Sequence, residues 1–406
     1  MTGDAGPRAH NAPMLLDLRS RALVLASLLG AAPLAQDAAP APTGERLAAA
    51  LRTELDALHA DNDFPGLSLA VVLPDGASVA LAVGHDPFDP ERALTPEQLL
   101  LSGSVGKMYV AAMALQLAGE GVLDLDAPLQ PHFAADAWYE RLPNADALTA
   151  RALLRHQSGL RRYVFDAAFW EELRAAPDRI WEPAELLAYV FDSDPLFEVG
   201  VGWAYADTNY ILLGMLLERL AEQPFYDYVQ ERFLEPHALE HTRPTNSRDV
   251  PGMAQGQIVL GRQFGLGERV LGEDGRFTYN PQFEWCGGGW ANTPADLARF
   301  GWLLWSGRLL GEESLAEMLE TVEAPMLGPG RGYGLGVIST PTEHGSAYGH
   351  DGFMPGYMTS IAYLPEHDVS IALMLNRDNG VSVRLPLPEV WKSLLDVVVE
   401  ELDSSR

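Results

Sequence analysis

The first regular pattern in the chain is a set of leucines with helical spacing. They share one face of a predicted helix over residues 45–59, and they are Leu47, Leu51, Leu55 and Leu58. Two short apolar runs follow, at 67–73 and 77–83, and Pro74-Asp75-Gly76 lies between them. Proline, aspartate and glycine favour a tight turn, so this part of the sequence predicts a β-hairpin.

The middle of the chain has mainly helical patterns. Residues 104–118 are apolar on nearly every side, which predicts a helix that is buried all round, and Gly119 and Gly121 end it. From about 122 to 280, helical patterns are broken repeatedly by proline and glycine. A further helix is predicted over residues 296–305.

The last part of the chain returns to strand patterns. Strands are predicted at 333–338, 356–364 and 369–375, with a turn at 365–368 between the last two. An amphipathic helix is predicted over residues 388–402. Strand patterns therefore occur near both ends of the chain, on either side of a long helical region.

These patterns predict an α/β fold. Strands from the N- and C-terminal segments would form one antiparallel sheet flanked by helices, because a sheet must bury its apolar face against another layer. We assign residues 45–121 and 281–406 to this α/β sandwich. Residues 122–280 are predicted to form an inserted, mostly helical domain.

The N-terminal segment has the pattern of a signal peptide. Arg19 and Arg21 precede an apolar run at 22–29, and small residues follow it. We assign residues 1–44 to a signal peptide and an Ala/Pro-rich linker, which predicts a secreted or periplasmic protein. A disordered or helical extension remains the alternative, and the cleavage site and the true start methionine stay open. No other segment is predicted to span a membrane.

Charge and cysteine content narrow the classes of partner. The 406-residue chain has a formal net charge of −28, which argues against binding nucleic acid or anionic membrane surfaces. Its single cysteine, Cys286, excludes an intramolecular disulfide and is interpreted as a small buried residue. The expected partner is a small-molecule or peptide substrate, and the oligomeric state is left open.

Lysine is rare in this chain, and one lysine has an informative position. Of 28 lysines and arginines, only Lys107 and Lys392 are lysines, and Lys107 lies three residues after Ser104. In a helix, positions i and i+3 share a face, so Lys107 can reach the Ser104 hydroxyl. A desolvated lysine, unlike arginine, can lose its proton and act as a general base. Ser104 is therefore a candidate nucleophile.

Two further segments strengthen this hypothesis. Tyr205-Ala206-Asp207 lies within a glycine-flanked helical segment, and His350-Asp351-Gly352 lies near the C-terminal strands. With these motifs, the chain resembles the serine hydrolases of the class C β-lactamase and penicillin-binding DD-peptidase family, in which Ser-x-x-Lys, Tyr-x-Asn and Lys/His-x-Gly occur in this order. The resemblance runs from about Phe64 to Asn376. Its supporting segments are His156–Leu160, Gly287–Trp290 and Tyr333–Gly336.

The resemblance implies a role for each motif. Ser104 would form an acyl-enzyme, while Lys107 and Tyr205 would share the role of general base. Tyr205 would act as a phenolate, or relay its proton, if Lys107 holds its pKa down. His350 would polarise Tyr205 or contact the substrate, with a charge that varies near neutral pH.

The resemblance also implies the surroundings of the reacting carbonyl. The backbone N–H groups of Ser104 and Phe353 would form an oxyanion hole. Gly352 would leave room for the substrate to lie along its strand. These residues complete the expected substrate-binding positions, together with Asp207 and Asp351.

Two of these positions depart from the family pattern. Asp207 stands where asparagine is common, and Asp351 where threonine or serine is common. An ionised aspartate cannot donate a hydrogen bond to a substrate carbonyl, and two added acids would disfavour a substrate carboxylate. Alternation along a strand would turn Asp351 away from the cleft. The substitutions favour esters or neutral or cationic amides and make efficient β-lactamase action the least favoured activity.

Other catalytic classes lack their motifs. The chain has no Gly-x-Ser-x-Gly elbow, and His237 and His241 are not part of His-Glu-x-x-His. We therefore predict a serine hydrolase without metal or cofactor, acting on esters or amides as an esterase or D-amino-acid peptidase. The alternatives are a D-Ala-D-Ala carboxypeptidase or β-lactamase, and a non-catalytic relative that binds peptidoglycan.

Overall fold

The computed structural model describes residues 42–379 and 387–404. Nearly all of the predicted signal peptide and linker, residues 1–41, lies outside the described residues. The first helix, α1, begins at Pro42, within the last part of the predicted linker.

An antiparallel sheet of nine strands is the centre of the described structure. Its strand order is β3-β2-β1-β12-β11-β10-β9-β8-β7, and a separate three-stranded sheet has the order β4-β6-β5. The strands are β1 (Gly66–Val72), β2 (Ser78–Asp86), β3 (Asp89–Ala93), β4 (Leu100–Leu101), β5 (Thr242–Pro244), β6 (Trp290–Asn292), β7 (Val322–Glu323), β8 (Gly332–Tyr333), β9 (Ile338–Thr342), β10 (Gly345–Met354), β11 (Tyr357–Leu364) and β12 (Val369–Leu375).

Helices cover both faces of the large sheet. α1 and α10 lie on one face, and α2 and α8 lie on the other. The helices of the described residues are α1 (Pro42–Asp61), α2 (Lys107–Gly119), α3 (Ala150–Leu154), α4 (Ala167–Ala175), α5 (Pro183–Leu187), α6 (Asp207–Ala221), α7 (Phe225–Val229), α8 (Pro294–Trp305), α9 (Glu312–Leu319) and α10 (Leu387–Asp403). Short 3-10 turns at Gly103–Gly106 and Pro281–Gly287 lie beside the start of α2.

Alternation along β1 divides the interior into two cores. Leu69 and Val71 point to the face covered by α1 and α10, whereas Ala70 and Val72 point to the face covered by α2 and α8. Successive strand residues face opposite sides, so a central strand with helices on both faces is apolar at every position. All seven residues of β1 are buried for this reason.

The architecture confirms the predicted α/β fold, with its antiparallel sheet built from both ends of the chain. The residues of the predicted helical insertion contain α3–α7, together with β5. The exact limits of the insertion stay a prediction, since all the described residues belong to one compact unit.

Two differences from the sequence prediction concern strands near the C-terminal motifs. The predicted strand 333–338 is interrupted, because the Gly334 N–H donates to the Val337 carbonyl in a turn between β8 and β9. The second difference is β10, which has no separate prediction although it carries His350. Its glycines interrupt the alternation of side chains by which a strand is recognised.

Asp378 anchors the loop after β12 to two other parts of the chain. Its Oδ1 accepts hydrogen bonds from the backbone N–H groups of Val259 and Leu260, at 2.6 and 2.8 Å. Its Oδ2 accepts from Gly261 and Gly356, at 3.0 and 3.1 Å. Asp378 is fully buried, so its loss would leave four donors without their acceptor.

We predict that Asp378→Ala lowers the free energy of unfolding by about 3–5 kcal/mol, because buried donors left unsatisfied are costly. Urea denaturation of the purified variant measures this change. The control is Asp75→Ala, since Asp75 accepts one hydrogen bond from the Ala77 N–H in the exposed β1–β2 turn. A loss at position 378 no larger than that of the control would contradict the anchoring role.

Candidate active site

Ser104 lies on a tight turn that connects β4 to α2. Gly103, just before it, has a φ of +52°, and a Cβ there would lie 2.6 Å from the Phe353 carbonyl oxygen. Glycine is therefore required at this position, both for the backbone conformation and for the close approach to β10. The turn brings the Ser104 N–H and the Phe353 backbone into the same small region.

Gly352 completes the contact between this turn and β10. A Cβ at Gly352 would lie 2.0 Å from the Ser102 carbonyl oxygen and 3.1 Å from Val105. The glycine makes room for the nucleophile turn itself. The close packing of the two backbones requires this, and the expected role of Gly352 in leaving room for substrate stays a prediction.

Lys107 is held by three hydrogen bonds at the first position of α2. Its Nζ lies 3.2 Å from Ser104 Oγ, 2.8 Å from Asp207 Oδ1 and 2.5 Å from the Gly287 carbonyl oxygen. The side chain is fully buried. The contact with Ser104 is the one that the helical spacing predicts.

The electrostatics of Lys107 contradict the expectation of a neutral lysine. Burial is the largest single influence and disfavours its charged form, but Asp207, Tyr205 and Glu284 together outweigh it, so the pKa of Lys107 is raised above its ordinary value. Lys107 is therefore an ammonium ion at neutral pH. In the resting site it donates hydrogen bonds and cannot accept the proton of Ser104.

Asp207 is used by the protein itself and leaves no oxygen free for substrate. Its Oδ1 accepts from Lys107, and its Oδ2 accepts from Arg162 Nε and Nη2 at 3.0 and 2.7 Å. Burial opposes its ionisation, but Arg162 and Lys107 together lower the pKa of Asp207 below the ordinary range. The expected substrate-binding role of Asp207 is not supported by this geometry.

Tyr205 lies between the charged pair and two histidines. Lys107 Nζ is 5.0 Å from the centre of its ring, and the ring centres of His156 and His350 are at 4.1 and 6.2 Å. Its buried hydroxyl lies close enough to Ser104 and Lys107 to interact with both, although neither contact has the geometry of a full hydrogen bond. Burial raises the pKa of Tyr205 although Lys107 lowers it, so the expected phenolate is not the resting form.

His350 lies at one end of a buried hydrogen-bond chain. The Ala206 N–H donates to His156 Nδ1 at 3.2 Å, so the neutral His156 ring carries its proton on Nε2. His156 Nε2 lies 3.2 Å from the Tyr333 hydroxyl, which lies 2.9 Å from His350 Nε2. His350 Nδ1 lies 2.6 Å from the Asp351 carbonyl oxygen, to which it must donate.

Both ends of this chain require the same direction of donation. His156 donates to Tyr333, and Tyr333 donates to the lone pair of His350 Nε2. That lone pair is thus occupied, so His350 does not polarise Tyr205 in this arrangement. Burial, followed by the charge of Lys107, lowers the pKa of His350 to about 4. The expectation of a charge that varies near neutral pH is therefore wrong.

Asp351 and the side chain of Phe353 lie away from the nucleophile. Asp351 accepts hydrogen bonds from Arg331 Nη2 and Ser360 Oγ, at 2.7 and 2.9 Å, on the α10 side of the sheet. The alternation of the strand predicts this direction, and it excludes Asp351 from the substrate cleft. The Phe353 backbone lies against Gly103, and the residue as a whole is 38% exposed.

The sequence analysis missed two charged residues near Lys107. Arg162 binds Asp207, and only the preceding His156–Leu160 motif could have drawn attention to it. Glu284 lies in the 281–287 turn, and burial, together with the charge of Asp207, raises its pKa to about 7. Glu284 is thus a further group near Lys107 whose pKa is shifted towards neutrality.

The described residues contain no group of three or more His, Cys, Asp or Glu side chains that could hold a metal ion.

A cavity of about 670 Å³ lies between β9–β11 and α10, lined by Asp351, Trp391 and Lys392 among others. His350 and Gly352 also line it, whereas Ser104, Lys107 and Tyr205 do not. Within residues 42–379 and 387–404, every helix is too short or too polar to cross a membrane.

A model of one protein family matches most of the chain. Its description is Beta-lactamase, and it matches residues 51–394. The chain belongs to the Beta-lactamase family. As a Beta-lactamase family member it is a serine hydrolase, which confirms the resemblance found in the sequence.

Similar proteins agree with this membership. Penicillin-binding protein 4 of Amycolatopsis lactamdurans is 29% identical over 342 residues, covering 79% of this chain and 83% of that protein. Penicillin-binding protein 4* of Bacillus subtilis (strain 168) is 25% identical over 339 residues, covering 81% and 71%. The solved D-amino acid amidase from Ochrobactrum anthropi SV3 complexed with D-phenylalanine has a TM-score of 0.73 and 25% identity, covering 89% of this chain and 100% of that one.

The depressed pKa of His350 predicts how stability depends on pH. An unfolded histidine gains its proton near pH 6.5, whereas folded His350 gains one near its pKa of about 4. Between these values the unfolded state binds more protons, so the free energy of unfolding falls as the pH falls. We expect His350→Gln to flatten this decline by up to about 1.4 kcal/mol per pH unit.

Urea denaturation at several pH values between about 4 and about 8 measures both slopes. Above about pH 7 the two proteins should show parallel behaviour, because His350 is neutral there in both the folded and the unfolded state. An equal slope for the two proteins below about pH 6 would contradict a buried neutral His350.

Proposed function

We propose that this Beta-lactamase family member hydrolyses amides or esters of D-amino acids through an acyl-enzyme on Ser104. The observation that carries the proposal is the 3.2 Å contact between Lys107 Nζ and Ser104 Oγ, at the start of a buried helix. The solved relative described as a D-amino acid amidase supports the substrate class. No cofactor takes part in the proposed reaction.

The cationic Lys107 favours a proton relay through Tyr205. Ser104 Oγ would attack the carbonyl carbon as its proton passes to Tyr205 Oη, while Tyr205 gives its own proton to the leaving group. The bond from Oγ to the acyl carbon forms and the bond to the leaving nitrogen or oxygen breaks. Water would then release the acid by the reverse relay, returning a proton to Ser104.

The developing oxyanion would be stabilised at the junction of α2 and β10. The Ser104 N–H lies in the first turn of a helical segment, where backbone donors have no partner within the helix. The Phe353 backbone is adjacent, because it contacts Gly103. These two N–H groups are the proposed oxyanion hole, and the positive end of α2 adds to their effect.

A second candidate activity is D-Ala-D-Ala carboxypeptidase action, with β-lactam hydrolysis as a related possibility. The acidic residues Asp207 and Asp351 were expected to disfavour substrates that carry a carboxylate. The structure weakens that objection, since Asp207 is neutralised by Lys107 and Arg162 and Asp351 binds Arg331 on the other face. The penicillin-binding relatives also favour this candidate.

The proposal includes a secreted or periplasmic location. It rests on the basic, apolar and small-residue pattern within residues 1–44. The penicillin-binding relatives are compatible with it.

The nucleophile is tested by intact-mass measurement after treatment with a fluorophosphonate probe. We expect one adduct on the wild-type protein and none on Ser104→Ala, because only an activated serine reacts. The matched control is Ser102→Ala, since the buried Ser102 hydroxyl already donates to the Trp290 carbonyl. It should retain the adduct. A folded wild-type protein without an adduct would leave the non-catalytic, peptidoglycan-binding alternative as the better one.

The substrate class is tested with a panel of defined compounds. We expect D-phenylalaninamide to be hydrolysed at least about tenfold faster than its L enantiomer. The two enantiomers cannot both place the amide carbonyl at Ser104 in the same bound orientation, and the proposal assigns the productive orientation to the D enantiomer. A D-Ala-D-Ala peptide and a chromogenic cephalosporin test the second candidate. Preference for either of them, or for the L-amide, would contradict the proposed substrate class, and Ser104→Ala measures the background for every compound.

A further inference from the structure

Arg162 binds the one oxygen of Asp207 that Lys107 does not use. Two of its nitrogens converge on Asp207 Oδ2, while Lys107 Nζ binds Oδ1. The Arg162 guanidinium also lies 5.2 Å from the centre of the Tyr205 ring. One carboxylate thus connects Arg162 to the lysine that contacts Ser104, and the arginine lies beside the tyrosine of the site.

The charges of these three groups add up to one positive charge. Lys107 and Arg162 each contribute +1 and Asp207 contributes −1. A lysine beside a neutral amide would also carry +1. An aspartate without Arg162 would cancel the charge of Lys107 and leave one buried oxygen without a donor.

Other titratable groups face this cluster from the elements packed around it. Tyr205 and His156 lie on the side of the loop before α6, and His350 lies on β10. Glu284 faces it from the 281–287 turn, and Tyr163 lies on the segment that follows Arg162. Each of these groups changes the pKa of a cluster member or has its own pKa changed by one.

We propose that Arg162 is a positioning residue, which makes an aspartate at position 207 equivalent in net charge to a neutral amide. By occupying Asp207 Oδ2, it fixes the carboxylate in the orientation that holds Lys107 at Ser104. By returning the positive charge, it preserves the field that favours electron density on Ser104 Oγ and Tyr205 Oη during acylation. This inference rests on the proposed function of Ser104.

The proposal predicts unequal effects of single and double substitutions. In Asp207→Asn the two cations lose their shared counter-ion, so Lys107 should lose its proton at lower pH than in the wild type. In Arg162→Gln the net charge of the cluster falls to zero. The double variant restores one positive charge, so the two losses should not multiply.

The experiment measures the second-order rate of fluorophosphonate labelling between about pH 5 and about pH 10 for the wild type, both single variants and the double variant. We expect each single variant to react about 10- to 100-fold more slowly at neutral pH, and the double variant to recover at least about tenfold relative to the product of the two losses. The labelling rate should fall at alkaline pH as Lys107 loses its proton. This fall should move to lower pH in Asp207→Asn and return towards its wild-type position in the double variant.

Two further variants separate positioning from packing. Arg162→Lys keeps a cation near Asp207 Oδ2 and should retain more of the rate than Arg162→Gln, even if the glutamine variant folds poorly. Arg161→Gln is the matched control, because Arg161 donates to the Asp194 carbonyl at the exposed surface and should label at the wild-type rate. Circular dichroism and thermal melting establish that each variant is folded.

The outcomes distinguish this inference from the proposed function. If folded wild-type protein is not labelled at Ser104, the proposed function fails and the inference fails with it. If the wild type is labelled but the rate losses multiply, or the four pH profiles coincide, only the inference on Arg162 is overturned. Recovery in the double variant, with the expected movement of the alkaline decline, supports it.

Discussion

The buried ion pair between Lys107 and Asp207 is the interaction on which the whole site depends. Lys107 is fully buried and would be costly to bury as a charge without a partner. Asp207 begins α6, so the pair joins that helix to the start of α2 and fixes the amine beside Ser104. The pairing also determines the protonation of the site, because an ammonium group cannot accept a proton and the relay must pass through another residue.

The groups around the ion pair divide into those that stay neutral and those that carry charge. His156, Tyr333 and His350 form a chain of hydrogen bonds. The Ala206 N–H at one end and the Asp351 carbonyl at the other end set the direction of donation along the chain. Such a fully satisfied buried network is rigid. It holds His350 neutral beside the cationic lysine, so His350 adds no charge at the nucleophile.

How far the sequence predicts this site depends on how many residues separate the two partners of each contact. The contact of Ser104 with Lys107 follows from helical spacing, and the direction of Asp351 follows from strand alternation, because both are local geometry. The partner of Asp207 is 45 residues away in a loop without periodicity, so no pattern indicated Arg162. The central strands β1, β11 and β12 were predictable from their apolar runs. The neighbouring strand β10 was not, because its glycines serve a close backbone contact instead of an apolar pattern.

The pairing of β1 with β12 has a consequence for how the protein is made. Leu67 pairs with Leu375, so the centre of the sheet joins residues that are 308 positions apart in the chain. Closing so long a loop is entropically costly, and proteins dominated by such contacts fold slowly. During synthesis, the hairpin of β1 and β2 must wait with one edge unpaired until β12 has emerged from the ribosome. The incomplete chain is thus open to aggregation through that edge until β12 pairs with it.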